Sequence, residues 1–413
     1  MTEQNLQGTN INLVKAHNLR AVLLTILQEA SLSRVQLARQ TKLSNTTITN
    51  LVAELIEQGI VSEDDASPPG VEKIRPVGRP RTGIHLEPDA RYVVGVHIGV
   101  GIFRVAVANL RAEILHNQTH TFDITLPAQI VLDQIVTSIK DTIHSSQVAH
   151  SRILGVGVGA SGLVDFTSGI NVLAPNLNWH NIPLKDYLQH ALNLPVVVDN
   201  NVRAMALGET HFGAGRQVNS LVFVYGRIGV GAGLTFKGQV FRGSAMGAGE
   251  IGHTIMLLHG GEPCRCGNSG CLETLVSEVV ILRQAEALAR KNPEGLLART
   301  MQERQDVDAI ERVFIAARLG DEATCSLLAE RAHTLGIALV NLVNLYNPEL
   351  IILGGIFAQG KDFFLEPAYK VVRECSFGGM GSSVRVQATS AAWRAGVIGA
   401  AALALMSFFY HSD

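Results

Sequence analysis

The chain has 413 residues, of which 47% are apolar and 17% charged, and its formal net charge is −2. This is the composition of a globular protein long enough for two or three domains. Near-neutral charge gives no global sign of nucleic-acid binding, so any DNA-binding part has to be local. The start, MTEQNLQGTN, has neither a basic segment nor an apolar core, so we see no secretion signal and expect a cytoplasmic protein.

Residues 12 to about 62 predict three helices. The first is the amphipathic segment NLVKAHNLRAVLLTILQEA. The second, RVQLARQTKL, begins near Ser33, a favoured N-cap, and the third, NTTITNLVAELIEQG, ends at Gly59. One face of the third helix carries its apolar residues, which are Ile48, Leu51, Val52, Leu55 and Ile56. A helix, a turn and a helix with a polar leading end indicate a helix-turn-helix; the alternative is a helical bundle with a solvated face.

The next segment, GIVSEDDASPPGVEKIRPVGRPRTGIHL, predicts a strand, a loop and a second strand, which together would form a wing. Positive charge is concentrated between Lys73 and Arg81. The tetrapeptide GRPR is similar to the core of AT-hooks, in which proline extends the backbone and arginines enter the minor groove. The candidate DNA-contacting residues are Ser44, Asn45, Thr46, Thr47, Thr49, Asn50, Arg79 and Arg81.

From Arg91 onward the pattern is that of an α/β protein. A strand, a glycine turn and a strand begin near Tyr92 and recur near Ser220, which predicts a duplicated core with two lobes facing a cleft. The segment LPVVVDNNVRAMALGE reads as a strand and then a helix, so Asp199 and the two asparagines after it would lie where such folds bind ligands. The apolar run AGVIGAAALALMSFFY is shorter than the roughly 20 residues that span a bilayer, so we expect a buried terminal helix.

The segment GEIGHTIMLLHGGEPCRCGNSGCLE indicates a metal site. Its three cysteines, Cys264, Cys266 and Cys271, are too close together for ordinary disulfides. Tetrahedral zinc needs a fourth ligand, for which His253 and His259 are both candidates. A site closed by four protein ligands would be structural.

The motifs GRIGVGAGLTFKGQVFRGSAMGAGEIGHT and CRCGNSGCLE resemble the ROK family of sugar kinases and sugar-responsive transcriptional repressors. The resemblance covers essentially the whole chain, and a helix-turn-helix joined by a segment containing GRP is typical of the repressors. It implies an N-terminal all-α winged helix-turn-helix followed by a two-lobed, actin-like α/β fold of the sugar kinase and ribonuclease H-like ATPase type. We expect domains at 1–82, 83–198 and 199–389, the first lobe being completed by a helix at about 390–413.

The resemblance also implies site residues. One structural zinc per chain would be held by His253, Cys264, Cys266 and Cys271. The sugar-binding residues would be Asn176, Asn200, Asn201, Glu250, His253 and Glu273. For some of them a plainer role is open: Glu250 and Glu273 could be surface acids, Asn176 could cap a turn, and Asn201 could only shape the pocket.

The departures from the kinase pattern argue against phosphotransfer. His97 stands where the kinases have an aspartate that helps hold Mg-ATP, and Gly101 and Arg227 replace phosphate-loop hydroxyl residues. Asn201 replaces the aspartate that acts as catalytic base, and an amide cannot take the proton. We therefore predict that the chain is not an enzyme.

Two side chains near the predicted cleft have alternative roles. Arg203 could pair with Asp199 or contact an acidic ligand, and we favour the ion pair. Trp179 could stack on the ligand or only pack.

The function that follows is a sugar-responsive regulator, most simply a repressor of carbohydrate-use genes such as those for xylose. Its partners would be double-stranded operator DNA, a mono- or disaccharide effector and a second copy of the chain in a homodimer or tetramer, with no membrane. The alternatives are a sugar kinase with residual activity and a regulator controlled by a partner protein. The sequence does not separate a repressor from an activator.

Overall fold

The computed structural model describes residues 11–29, 31–65 and 82–410. The predicted DNA contacts Arg79 and Arg81, with the rest of the GRPR segment, lie outside the described residues. The described chain forms an N-terminal domain and two α/β lobes, as the predicted fold class requires.

The N-terminal domain is a three-helix unit with two antiparallel strands. Its elements are α1 (Ile11–Gln28), α2 (Arg34–Thr41), α3 (Asn45–Glu57), β1 (Val61–Asp65) and β2 (Thr82–Leu86). Ser33 caps α2 in a capping box with Gln36, as its position predicts. Gly59 has φ 67°, a conformation that favours glycine, and Ile60 N–H bonds back to the carbonyl of Leu55 to close α3. The helix-turn-helix with wing strands is therefore confirmed.

The first lobe contains a five-stranded sheet with the order β10-β6-β3-β4-β5. Its strands are β3 (Tyr92–Gly99), β4 (Ile102–Asn109), β5 (Ile114–Thr121), β6 (Ile153–Ala160) and β10 (Val196–Asn200). Helices α4 (Ala128–Ser145) and α5 (Leu184–Leu192) and a small sheet of β7 (Leu163–Asp165), β8 (Ile170–Ala174) and β9 (Trp179–Ile182) complete it. Trp179 is 2% exposed in the core of this lobe, so it packs.

The second lobe repeats this arrangement with the order β13-β12-β11-β14-β15. Its strands are β11 (Ser220–Gly226), β12 (Val230–Phe236), β13 (Gln239–Phe241), β14 (Leu350–Gly355) and β15 (Arg385–Ala388). Its helices are α7 (Glu273–Val276), α8 (Glu278–Lys291), α9 (Leu296–Glu303), α10 (Ala309–Arg318), α11 (Glu322–Tyr346), α12 (Ile356–Gln359) and α13 (Lys361–Cys375). In each lobe an antiparallel hairpin is followed by parallel strands, which confirms the predicted duplication.

Helices α6 (Asn201–Phe212) and α14 (Ala395–Phe408) pack against each other between the two sheets. Helix α14 also packs on β3 and β6, and α6 packs on β11 and β12. The helices cross closely at Gly399, where a Cβ would lie 2.6 Å from the carbonyl oxygen of Ala204. The apolar terminal run is a buried helix, as predicted, and the described part of the chain contains no helix that could cross a membrane.

The N-terminal domain shares an apolar core with the end of the chain. Ile84 and Leu86 of the wing belong to the same buried cluster as Leu110 and Tyr410. The Tyr410 hydroxyl donates to the carbonyl of Leu110, 2.8 Å away, and Leu110 N–H donates to the carbonyl of Pro88, 2.9 Å away. The segment that joins the two domains is therefore fixed to the first lobe.

Candidate functional site

A cavity of about 410 Å³ lies between the lobes, at the carboxyl ends of β3 and β10. All six residues predicted to bind sugar line this cleft, namely Asn176, Asn200, Asn201, Glu250, His253 and Glu273. The cleft has two ends with different chemistry. We call them the cysteine-loop end, with Glu250, His253 and Glu273, and the glycine-turn end, with His97 and Arg227.

The two asparagines after β10 have different roles in the structure. Asn200 is the N-cap of α6, where its Oδ1 accepts from the backbone N–H groups of Val202 and Arg203, and its Nδ2 donates to the carbonyl of Gly162. Its hydrogen-bonding capacity is therefore largely used by the backbone. Asn201 is 7% exposed, and its Nδ2 lies 3.3 Å from the Ser161 Oγ.

Asp199 holds two arginines below the cleft. The buried Arg203 places its Nε 2.7 Å from one carboxylate oxygen of Asp199, and Arg242 places its Nε 2.9 Å from the other. Arg203 also donates to the carbonyls of Val164 and Met246. The predicted structural ion pair is confirmed, and it ties the end of β10 to the second-lobe segment that leads to Glu250.

The acids at the cysteine-loop end line the cleft. Glu250 is open to the cleft, yet the surrounding walls displace enough water that desolvation raises the pKa of its carboxyl. The Glu273 Oε2 accepts from the backbone N–H of Val230, 3.0 Å away. Both carboxylates therefore lie where they could accept hydrogen bonds from ligand hydroxyls.

Arg265 joins the two lobes across this end of the cleft, a contact that sequence reasoning missed. Its Nη1 donates to the Oδ1 of Asn176, 2.6 Å away, so the second lobe contacts a short helical turn of the first. The only signal in the sequence was its place between Cys264 and Cys266.

Four side chains of the cysteine loop (residues 253–271) converge as a metal site would require. The ligand atoms of His253, Cys264, Cys266 and Cys271 all lie within 4.8 Å of one another. The His253 Nδ1 is 3.6 Å from the Cys264 Sγ, and the Sγ atoms of Cys266 and Cys271 are 3.7 Å apart. A tetrahedral zinc with bonds of about 2.3 Å separates its sulfur ligands by roughly 3.8 Å, so the set fits zinc.

His259, the other candidate ligand, is exposed and does not belong to this group. Within the group, the backbone N–H of Asn268 is the main cause that lowers the pKa of the Cys266 thiol to about 7, which favours the thiolate that binds metal.

At the glycine-turn end His97 is buried without partners. It is 4% exposed, and neither ring nitrogen has a hydrogen-bond partner among the described residues. Burial, and then the charges of Arg104 and Arg227, lower the pKa of His97 to about 3, so its imidazole is neutral. The Arg227 Nε lies 3.5 Å from the Glu278 Oε2.

The helix α3 presents its polar leading end to solvent. Asn45, Thr46, Thr49 and Asn50 are exposed. Ser44 is the N-cap of α3, where its Oγ accepts from Thr47 N–H and lies 2.8 Å from the Thr47 Oγ. These two predicted DNA contacts therefore also serve to start the helix.

Two basic residues before α3 were not predicted as contacts. Arg39 and Lys42 are exposed beside the turn that precedes α3, and Lys42 has φ 58°. The sequence could have indicated them by their positive charge, because they precede a helix whose first turn contains no acidic residue.

These features define a two-lobed, sugar-kinase-like protein with a winged DNA-binding domain. Residues 93–407 match the model of the ROK family, and residues 16–62 match a winged helix-turn-helix DNA-binding domain. The chain belongs to the ROK family, as its motifs predict.

Similar proteins include both branches of the family. A xylose repressor of Caldicellulosiruptor bescii is 32% identical over 398 residues, which are 96% of this chain and 97% of the relative. A solved ROK family transcriptional regulator, a homologue of the E. coli MLC protein, superposes with a TM-score of 0.80 at 27% identity and covers 96% of this chain and 97% of its own. A Streptomyces griseus ROK glucokinase, solved with glucose and AMPPNP, gives a TM-score of 0.69 at 29% identity and covers 76% of this chain and all of its own.

Proposed function

We propose that this protein is a sugar-responsive transcriptional repressor of carbohydrate-use genes, with xylose use as the first candidate. The observation that carries the proposal is that one chain joins a helix α3 with an exposed polar leading end to a cleft lined by carboxylates and amides suited to sugar hydroxyls, which are Asn176, Asn201, Glu250 and Glu273. The match to a xylose repressor over nearly the full length of both chains supports it.

In the proposed DNA complex, α3 enters the major groove. Asn45, Thr46, Thr49 and Asn50 read base edges, while Ser44 and Thr47 hold the start of the helix against a phosphate. Arg79 and Arg81 are proposed for the minor groove. Arg39 and Lys42 contribute phosphate contacts. One DNA-binding domain buries too little surface for high specificity. We therefore propose that a homodimer binds a pseudo-palindromic operator, either as a free dimer or as part of a tetramer.

In the proposed effector complex, sugar hydroxyls donate to Glu250 and Glu273 and bond to Asn176 and Asn201, with His253 beside them. Asn200, whose polar atoms already bond to backbone, acts by fixing the start of α6. A charged acceptor for a hydroxyl strengthens such a bond, so these two acids should supply most of the affinity.

The signal to the DNA-binding heads would pass through helix packing. Closing the lobes around a sugar moves α6, which packs on both sheets and on α14. The end of α14 leads to Tyr410, which shares a core with the wing and bonds to Leu110 beside Pro88. If this region packs in two alternative ways, the two DNA-binding domains of a dimer would be held at two different distances from each other.

We propose that one zinc ion per chain is held by His253, Cys264, Cys266 and Cys271. Bound there, zinc would cross-link a loop that has little core of its own. His253 would then be oriented between the metal and the cleft, so the same ion would hold Glu273 and Arg265 in place.

The cleft is proposed to recognise its ligand without reacting. Asn201 has no proton-accepting carboxylate, and His97 is a neutral imidazole in a place where magnesium chemistry requires oxygen ligands. The alternatives stay testable: a sugar kinase would form ADP, and a regulator controlled by a partner protein would ignore sugars.

Binding assays on the full-length protein distinguish these functions. Thermal shift and titration calorimetry against mono- and disaccharides, with and without phosphate groups, should give one preferred class of sugar. A coupled assay with ATP should detect no ADP. Sugar-dependent turnover would replace the proposal with a kinase, and the lack of any sugar binding would favour the partner-controlled regulator.

A further inference from the structure

The glycine-turn end of the cleft has two arginines near the neutral His97, one on β4 and one after β11. His97 on β3 and Arg104 on β4 are directly opposite in the antiparallel register, so both side chains are on the same face of the sheet. Arg227 approaches from the turn after β11 and lines the cleft with His97. Arg104 and Arg227 are close enough to act on His97 and on each other.

These arginines are incompletely paired. Arg104 is half-buried and makes no hydrogen bond or ion pair with a described residue, and its guanidinium only faces the Trp393 ring at 5.9 Å. The Arg227 guanidinium hydrogen-bonds to the Tyr225 hydroxyl, and its Nε has a long contact to the Glu278 Oε2, at 3.5 Å. Asp308 acts on Arg104 through Coulomb attraction without an ion pair. Arg104 thus has no ion-pair partner among the described residues and Arg227 has only a long one, a state that an added anion would relieve.

His97 gives an independent sign of a ligand. A buried imidazole with two unpartnered nitrogens is rare, because each buried polar atom without a hydrogen bond is destabilising. Its ring lines the cleft, so a ligand atom there could accept the one N–H that the neutral ring carries.

We propose that the glycine-turn end binds an anionic group, a phosphate or a carboxylate, carried by the effector whose hydroxyls contact Glu250 and Glu273. This inference rests on the proposed function. The cleft then has an acidic end for hydroxyls and a basic end for an anion, so it selects both the class and the orientation of its ligand. A neutral sugar would occupy only the acidic end and would leave Arg104 and Arg227 without a bound anion.

The test compares matched neutral and anionic probes by calorimetry on the full-length protein. The probes are D-glucose, D-glucuronate, glucose 6-phosphate, D-xylose, D-xylonate, inorganic phosphate and ADP. We expect at least one sugar acid or sugar phosphate to bind about tenfold to a hundredfold more tightly than its neutral counterpart, the range typical of hydrogen bonds to a charged group. If the sugar acids gain affinity, the anionic group is a carboxylate; if the sugar phosphate gains affinity, it is a phosphate.

Three variants locate the effect. Arg227→Gln should remove the preference for the anionic sugar and leave the affinity for the neutral one within about twofold. Arg290→Gln removes a charge from an exposed pair on α8 and should change nothing. Arg265→Gln tests the other arginine that lines the cleft. Loss of the preference in Arg265→Gln and its retention in Arg227→Gln would overturn the proposed placement.

The remaining outcomes separate the two proposals. Equal binding of neutral and anionic sugars would overturn the anion site and leave the repressor proposal intact. Arg227-dependent binding of inorganic phosphate without any sugar binding would overturn both the sugar-responsive repressor and an anion carried by its effector. Arg227-dependent binding of ADP alone would overturn an effector-borne anion in favour of a nucleotide, and the absence of binding by every probe would overturn both.

Discussion

The two ends of the cleft differ in how their polar side chains are partnered. At the cysteine-loop end, Glu273 is bonded to the Val230 backbone and Asn176 to Arg265, and four metal-binding atoms lie together. At the glycine-turn end, His97 has no partner among the described residues and Arg104 makes only a ring contact. One end is organised before a ligand arrives, while the other has unmet hydrogen-bonding capacity.

This difference separates what the family resemblance explains from what is specific to the chain. The organised end carries the residues expected of a sugar site beside zinc. The other end carries His97 and Arg227, which are two of the departures from the kinase pattern. The positions that depart from the kinase pattern therefore also give this end of the cleft its charge pattern.

The largest effect is expected from breaking the organised end at the metal. Cys266→Ser should lose zinc and lower the free energy of unfolding of the effector domain by at least about 3 kcal/mol, a fraction of the roughly 10–16 kcal/mol that a structural zinc site supplies. Metal analysis and chemical denaturation measure both. Cys375→Ser, at an exposed cysteine, is the control. Full zinc content in Cys266→Ser would rule out the assigned ligand.

The next effect tests the sugar contacts at the same end. Glu250→Ala should weaken effector binding about tenfold to a hundredfold because a charged acceptor is lost. Operator binding without sugar should be unchanged. Calorimetry and fluorescence anisotropy with labelled DNA measure the two, and Glu286→Ala on α8 is the control. An unchanged response to sugar would place the effector elsewhere.

A smaller effect, outside the cleft, tests whether DNA recognition is separate from both ends. Asn50→Ala should weaken binding to one preferred operator by about 1–2 kcal/mol and leave effector affinity unchanged. Gln28→Ala, on the exposed end of α1, should have no effect on either. Competition between operator variants, read by anisotropy, detects the loss. If both substitutions act alike, α3 is not the reading helix.

The smallest effect concerns the partnerless His97. Because burial lowers its pKa to about 3, the folded protein stays neutral there while the unfolded chain takes up a proton near the usual value of about 6.5. Stability is therefore lost as the pH falls below about 6.5. From pH 7 to 5.5 the wild type should lose about 1 kcal/mol more than His97→Gln does. Urea denaturation at the two pH values measures this difference. If the wild type and His97→Gln lose the same stability between pH 7 and 5.5, His97 is not a buried neutral imidazole.

Much of the fold was predictable because its signals are local. Alternating apolar strands, glycine turns and the cap at Ser33 each depend on neighbouring residues, as do the three cysteines of the metal set. The ion pair of Arg203 with Asp199 lies within one helical turn and was predictable for the same reason.

The features that were missed depend on contacts between distant segments. Arg265 meets Asn176 only because the cysteine loop folds across the cleft. Arg104 faces His97 only through strand register. Asn200 lines the cleft, and its Nδ2 donates to the carbonyl of Gly162 only because β10 lies beside that distant segment. None of these contacts has a signature in sequence spacing.

Operator release by sugar tests the central claim most directly. The full-length protein first selects an operator duplex from a random pool of DNA, and this duplex is then labelled. The complex of protein and labelled duplex is titrated, in the presence of Mg-ATP, with the sugar that binds the protein most tightly. We predict that anisotropy falls to that of free DNA at saturating sugar while no ADP is formed, and that Glu250→Ala shifts the midpoint upward. A complex that persists at saturating sugar, or release that requires ATP turnover, would contradict a cleft that recognises sugar without reacting.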